Sequence, residues 1–389
     1  MHHQNTVFHA LLKVLPRHRF ERLVAAHEAD RRVRRLPCWS QFVAMLYAQL
    51  SGARSLRELE GSLASHDNLF YHLGLGPVCR STLSDANRER PASLYEDVFA
   101  TLLETAQGRL GQDAATLVRL LDASPLALSR NLCAWARFSD QWTAAKLHVV
   151  YDPQARLPTY FTITPAKIND IVEAKAMPIE AGATYVFDRG YYSFDFWAKL
   201  NDAGCRFVTR LKDNSPTRQI EARPAEGEGI VSDRVVELNR RMARSRRNPY
   251  CAPLREIIVE RDNGHRLRLV SNDLEAPASE IAELYKTRWQ IELFFKWVKQ
   301  NLKIKSFLGT SPNAVKIQII TALIAYLLIH IVQQSFPIGH SMQQLARLIR
   351  ANLMHRKTIE ELLKPPPKRP NRRQQSKRQF SFQFQPINA

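Results

Sequence analysis

Between residues 117 and 211 the apolar residues fall into short runs of strand length, separated by turn formers and by two stretches of helical spacing. This alternation constrains the fold more than any other feature of the chain. Leu117 to Leu121 reads as a strand ending at Asp122, where Ala123, Ser124 and Pro125 form a turn. Lys146 to Asp152 and Thr159 to Thr164 read as two further strands, joined through Pro153 to Pro158 as in a hairpin. Asn169 and Asp170 start a helix with Ile171 to Met177 in its body. Thr184 to Phe187 is the next strand, ending at Asp188-Arg189-Gly190-Tyr191; Phe194 to Asn201 is the helix after it, and Cys205 to Leu211 the last strand.

Three strands, a helix, a strand, a helix and a strand is the order of an α/β, ribonuclease-H-like core, although order alone proves no function. Residues 212 to about 280 break the alternation and read as a β-rich insertion, with strands at Ile230 to Leu238, Leu254 to Glu260 and Arg266 to Val270 and a tight turn at Asp262-Asn263-Gly264. Arg240, Arg241, Arg244, Arg246 and Arg247 form a basic loop within it, available to DNA or simply solvated. The domains expected are a helical N-terminal DNA-binding region at 1–110, the core at 111–310, a C-terminal helical region at 311–360 and a basic disordered tail at 361–389. In the first, Val7 to Leu15, Phe20 to Ala26 and Trp39 to Leu50 have helical spacing. A helix-turn-helix candidate follows: His66 to Leu73, a turn at Gly74, Gly76 and Pro77, and a helix capped by Ser81 and running through Arg90. If that second helix enters a major groove, Arg80, Ser84, Asn87 and Arg88 reach bases or phosphates; a plain pair of structural helices is the alternative.

Charge narrows the partner. The 389 residues carry a formal +19, which calls for a polyanion, and no targeting or membrane-spanning segment accompanies it, so the reading is nucleic acid and no membrane. Residues 341–389 hold eleven Lys and Arg against Glu360 and Glu361, or +9 of that excess; within them Lys364, Lys368, Arg369, Arg372, Arg373, Lys377 and Arg378 sit among prolines and glutamines, a composition too polar to fold alone. That tail either adds phosphate affinity or only solubilises. Five scattered cysteines form no metal or disulfide pattern and suit a reducing cytoplasm. The most apolar stretch, Ile317 to Val332, carries Gln318, Thr321 and His330 and reads as a buried core helix, with His330 a core histidine.

The candidate chemistry lies in three carboxylates. Asp122 and Asp188 each end an apolar strand, and Glu292 sits on a helix that also carries Tyr285, Arg288, Trp289 and Lys299. At about 100° per residue, Tyr285, Arg288, Glu292 and Lys299 fall within about 60° on one face of a single helix, backed by Leu284, Ile291, Phe294, Trp297 and Val298. Three acids around one pocket suit hard divalent ions, with Mg²⁺ foremost, and the Arg, Lys and Tyr suit phosphate oxygens. The ordinary alternatives remain open at this point: strand-end aspartates that cap turns, and a charged helix face with i,i+4 pairs. Asp140, Asp152, Asp170 and Asp195 read as turn or helix-start residues. Lys146 and His148 share one strand face, where either could line the pocket or, as the ordinary reading, simply cover the sheet surface.

The pattern Tyr285, Arg288, Glu292, Lys299, within Tyr285-Lys-Thr-Arg-Trp-Gln-Ile-Glu-Leu-Phe-Phe-Lys, resembles the Y-R-E-K signature of bacterial insertion-sequence DDE transposases, the insertion-sequence family-four group. Asp188-Arg-Gly-Tyr, Lys146-Leu-His, the β-rich insertion and the N-terminal opening Met1-His-His-Gln-Asn-Thr-Val-Phe are similar too, while Ala123-Ser124-Pro125 departs from the small polar residues common after the first acid. The resemblance implies metal-dependent cleavage and strand transfer at terminal inverted repeats, with Asp122, Asp188 and Glu292 holding Mg²⁺, for which Mn²⁺ substitutes. It also implies that Tyr285, Arg288 and Lys299 grip phosphates and Trp289 stacks on a displaced base. Terminal and target double-stranded DNA, a homodimer in the synaptic complex and a cytoplasmic, nucleoid-associated location follow from it. An inactive DNA-binding remnant acting as a repressor, or a general nuclease of the same fold, are the competing readings.

Overall fold

The computed structural model describes residues 5–108, 117–128, 134–136, 143–240, 247–261, 264–302, 304, 307–336 and 339–364. Seven helices come first: α1 (Val7–Leu12), α2 (Arg17–Ala26), α3 (Cys38–Ser51), α4 (Leu56–Ala64), α5 (Phe70–Leu73), α6 (Arg80–Glu89) and α7 (Ser93–Gln107). Thr6 and Ser55 cap α1 and α4 through side-chain oxygens, and α3 ends at Gly52 in the left-handed region that lets the chain turn away. Ser81 is not the cap expected of it: α6 begins two residues earlier than such a cap would place it, with Cys79 at its N-cap.

The core then runs β1 (Val118–Ala127), β2 (Ala144–Asp152), β3 (Leu157–Pro165), α8 (Asp170–Ala176), β4 (Thr184–Phe187), α9 (Phe194–Asp202) and β5 (Arg206–Arg210), the order read from the sequence. β2 and β3 each start two residues earlier than read, and β1 differs most in extent. Ala123, Ser124 and Pro125 do not turn; β1 continues through them, because β2 pairs with that stretch from Asp122↔Val149 to Ala127↔Ala144. The insertion supplies β6 (Thr217–Arg223), β7 (Ile230–Leu238), β8 (Leu254–Glu260) and β9 (Arg266–Ser271). β6 has no apolar run to announce it, since its interior residues are exposed. Residues 241–246 of the basic loop and Asp262-Asn263 of the expected turn lie outside the described residues, as does the tail from 365.

The insertion is not a separate sheet. β5 pairs antiparallel with β9, giving one nine-stranded sheet in the order β3-β2-β1-β4-β5-β9-β8-β7-β6, in which only β1–β4 and β4–β5 are parallel. Its strands are tied by ion pairs on buried carboxylates: Arg255 to Asp233, and the half-buried Arg234 and Arg268 both to Glu256, whose side chain is fully enclosed. Alternation along the strands divides the interior. Leu120, Val186 and Val208 face a large core shared with the helices; Leu121, Tyr185, Phe187 and Phe207 face a smaller one closed by Phe196 and Trp197.

After the sheet come α10 (Ala278–Thr287), α11 (Trp289–Asn301), α12 (Pro312–Ser335), α13 (Met342–Asn352) and α14 (Ile359–Leu363). α12 is long and apolar enough to cross a membrane, yet 94% of its most apolar window is buried in the protein, so packing accounts for its composition. It lies against α3, α6 and α7. His330 is buried on it, stacked beside Tyr326, and burial pushes its imidazole down to about 4. Residues from the two ends of the chain thus share one core. Phe8 N–H donates to Leu353 O (2.8 Å), and the Arg350 side chain donates to Leu50 O (3.0 Å).

Candidate active site

The parallel pairing of β1 with β4 ends at Leu121↔Phe187, so Asp122 and Asp188 are the next residues on two neighbouring strands. Adjacent strands run about 4.8 Å apart, and the carboxyl ends of parallel strands are where such sheets open to ligands. Asp122 is largely buried, and its Oδ1 accepts from Ala123 N–H (2.8 Å). Its carboxyl is pushed up to about 7, by burial first and by the nearby Asp188 and Glu292, against the Ala123 amide and Arg288. Asp188 Oδ1 accepts from Gly190 N–H (2.7 Å), which folds the short 3₁₀ turn Arg189–Tyr191 around the acid. A Cβ at Gly190 would stand 3.0 Å from Asp188 Oδ1 and 3.5 Å from Asp170 Oδ2, so a hydrogen here keeps both carboxylates in place.

Asp170 is therefore more than a helix starter. Asn169 is the N-cap of α8, and Asp170, in its first turn, borders Asp188 with its Oδ1 held by Lys146 Nζ at 2.8 Å. His148, next but one to Lys146 on β2, lines a small cavity with Asp170 and Tyr191; its Nε2 is bonded to Thr164 Oγ1 (2.9 Å) and its Nδ1 is 3.9 Å from Asp170 Oδ1. Burial pushes that imidazole down to about 4, leaving it neutral. Tyr191 feels Asp122, Asp170 and Asp188 together: burial, and then these three charges, raise its phenol well above the usual range.

The third acid arrives on α11, but not on one helix with Tyr285. The helix breaks at Arg288, which ends α10 and begins α11: its N–H reaches Tyr285 O (3.2 Å) and its carbonyl accepts from Ile291 (3.3 Å). The single-helix stripe is corrected accordingly. Tyr285 is buried on α10, Glu292 stands in the first turn of α11, and Lys299 stands in its last turn, where Nζ donates to Ser124 Oγ (2.6 Å) on β1. Arg288 lies over the Tyr285 ring at 5.8 Å and pairs with Glu292 at 2.6 Å. Burial works against its cation, but Tyr285, Glu292 and Asp122 outweigh it. Trp289 is 58% exposed beside this junction.

Arg210, at the end of β5, escaped notice in the sequence. Its charge and that of Asp188 both act on the Tyr285 phenol, which burial raises above its usual value. Its position at the end of the strand next to β4 was the signal. The Nε atoms of Arg210 and Arg288 are buried without a hydrogen-bond partner among the described residues. Two orphaned guanidinium donors beside a carboxylate pair form a ready receptor for an anionic oxygen. Among the described residues no three His, Cys, Asp or Glu side chains stand close enough to hold one ion between them. Asp122 and Asp188 are adjacent; Glu292 is engaged by Arg288.

The N-terminal candidates fare differently. Asn87 is buried, its Oδ1 accepting from Gln41 Nε2 (2.8 Å) and its Nδ2 meeting Met45 Sδ (3.3 Å), so it is a core residue and not a reader of bases. Arg88 is exposed but paired with Asp85 (2.7 Å) and Glu89 (3.1 Å), and Arg80 lies beside Glu60.

One mixed α/β sheet with aspartates at adjacent strand ends has the organisation of a ribonuclease-H-like core. Residues 113–328 match the family model for the transposase DDE domain, and residues 3–76 match a domain of unknown function, DUF4372. The chain is 37% identical over 309 residues to a protein named as the transposase y4zB of Sinorhizobium fredii, covering 78% of this chain and 85% of that one. It is 28% identical over 262 residues to a protein named as the transposase of insertion sequence element IS5377 from Geobacillus stearothermophilus, covering 66% of this chain and 68% of that one. The chain belongs to the DDE transposase family.

Proposed function

We propose that the protein is an active insertion-sequence transposase that cleaves DNA at the terminal inverted repeats of its element and joins the freed ends to target DNA. The observation that carries this reading is the placement of Asp122 and Asp188 at adjacent strand ends, beside the buried Nε donors of Arg210 and Arg288 that have no partner among the described residues. The acid pair suits a hard divalent cation. Its donors are all oxygens, and the Asp122 carboxyl is driven up to about 7 partly by like charge that a cation would relieve. Asp122 and Asp188 would hold Mg²⁺, or Mn²⁺ in its place, and Glu292 would join them once Arg288 turns from it to a phosphate. When bound, the ion supplies Lewis-acid activation of the attacking oxygen and stabilises the departing one.

The chain's own groups supply the grip. Arg288, Arg210 and Lys299 hold phosphate oxygens near the scissile bond, the Tyr285 hydroxyl donates to another, and Trp289, exposed at the rim, stacks on an unpaired base. Cut-and-paste transfer needs two ends held at once, so the working form is a homodimer on double-stranded DNA, acting on the nucleoid in the cytoplasm. The test is purified protein with Mg²⁺ and a labelled duplex carrying its element's terminal repeat, beside Asp188→Asn. Site-specific cutting by the wild type alone supports the reading. Tight binding without cutting makes the protein a DNA-binding remnant with a repressor's role, and random cutting makes it a general nuclease.

A further inference from the structure

The helix expected to read DNA offers little to a duplex: Asn87 points into the core, and the cations of Arg80 and Arg88 are partnered by acids. The unbalanced charge of the helical body lies elsewhere. Residues 13–35 carry eight Lys and Arg, every one exposed, against Glu21, Glu28 and Asp30. Those three carboxylates are taken: Glu21 by Arg17 (2.9 Å), Glu28 by Arg31 (2.7 Å), and Asp30 by the Cys38 amide (2.7 Å). Arg19 and Arg22 on α2, and Arg32, Arg34 and Arg35 in the turn after it, form no ion pair among the described residues.

That turn is a built structure. Glu28 (φ 47°) and Arg32 (φ 64°) both occupy the left-handed region, which side chains of this size rarely adopt, and strain of this kind persists where the surroundings hold it. Ala29 N–H bonds Val24 O (3.0 Å), Arg31 N–H bonds Glu28 O (3.0 Å), and Val33 N–H bonds Asp30 O (3.1 Å). At the start of α2, Arg17 lies 5.3 Å over the Trp39 ring and packs on Gly74, whose hydrogen leaves room for the guanidinium. Lys13, His72 and Tyr71 line the same pocket, and Tyr71 is 89% exposed. A phenol left in water on a cationic surface can meet a phosphate or sugar without first losing packing.

We propose that the exposed cations of α2 and of the arginine turn after it, with Tyr71 beside the start of α2, are the groups by which the N-terminal helical body grips the phosphate backbone of double-stranded DNA. The proposal rests on the transposase reading above and adds where the duplex is held. The full-length protein is titrated onto a fluorescent duplex of its own terminal repeat across a salt series, as wild type, Arg19→Ala/Arg22→Ala, Arg34→Ala/Arg35→Ala, Tyr71→Ala and Arg88→Ala. Each double variant is expected to lower the slope of log K against log salt by about 2 and to bind about tenfold more weakly at moderate salt, a larger loss than Arg88→Ala gives. Tyr71→Ala weakens binding with little change in slope. Arg34 and Arg35 are outside the left-handed region, so alanine adds no backbone strain, and unchanged thermal unfolding ties the loss to the surface. Double variants with wild-type slope and affinity overturn the proposal. A wild-type protein that binds no duplex at any salt overturns the transposase reading itself.

Discussion

Arg288 Nη2 lies 2.6 Å from Glu292 Oε1, so the acid expected to complete a metal site is held by a cation from the helix junction one turn before it. The same arginine feels Asp122 and keeps one buried nitrogen unpaired. Metal and arginine therefore compete for Glu292. In the DNA-free protein, Arg288→Ala is expected to tighten Mn²⁺ binding about threefold to tenfold, the scale of one partly screened charge contact, and Glu292→Gln to weaken it. Calorimetric titration decides: weaker Mn²⁺ binding by Arg288→Ala would rule out the competition. On cleaved DNA the same variant is expected to release the end faster.

The Asp122 carboxyl titrates near 7 in the fold against about 3.9 in an unfolded chain, so between those values the folded state binds the extra proton. Stability from this group is full below the lower value and is lost as pH rises through the upper one. Asp122→Asn removes that loss. In chelator, its thermal advantage over the wild type should widen by about 1 to 3 kcal/mol between pH 5 and pH 8. An advantage that stays constant across that range would contradict the burial argument.

Gly190 lacks the strain that would make alanine costly for folding, since its φ is not in the left-handed region. The new methyl would instead crowd Asp188 Oδ1 at 3.0 Å. Gly190→Ala is expected to cut DNA cleavage tenfold or more, because small displacements of a reacting constellation are costly, while moving the unfolding midpoint little. Full cleavage activity in this variant would remove Gly190 from the argument.

Asn87 bonds Gln41 and Met45 by its side chain, and its carbonyl accepts from Asn313 Nδ2 at 2.9 Å on α12. Asn87→Ala should cost about 1 to 3 kcal/mol in denaturant unfolding by leaving buried partners unmet. Among molecules that remain folded, duplex affinity should hold. A stable variant with weakened binding would restore Asn87 as a DNA contact.

Several elements were legible because their signal is local. Thr184–Phe187 is a strand with the bounds read from its apolar run, and Ile230–Leu238 and Leu254–Glu260 likewise. β6 was not legible: with its residues half or wholly exposed, nothing in Thr217–Arg223 alternates toward a core. The turn expected at Ala123-Ser124-Pro125 failed for the opposite reason, since pairing with β2 overrides a weak local turn preference.

The sequence by itself determined the order of strands and helices, the two aspartates after apolar strands, and the acid and cations around Arg288, because periodicity and turn chemistry act over a few residues. Only the tertiary structure decided which of these groups meet. It joined the insertion to the core sheet through β5 and β9, brought Asp170 and Arg210 beside Asp188 and Tyr285, broke the helix at Arg288, and turned Asn87 inward against α3 and α12. The reason is burial: which face of a helix is inside depends on what packs against it from distant parts of the chain, and a single helix does not encode its neighbour.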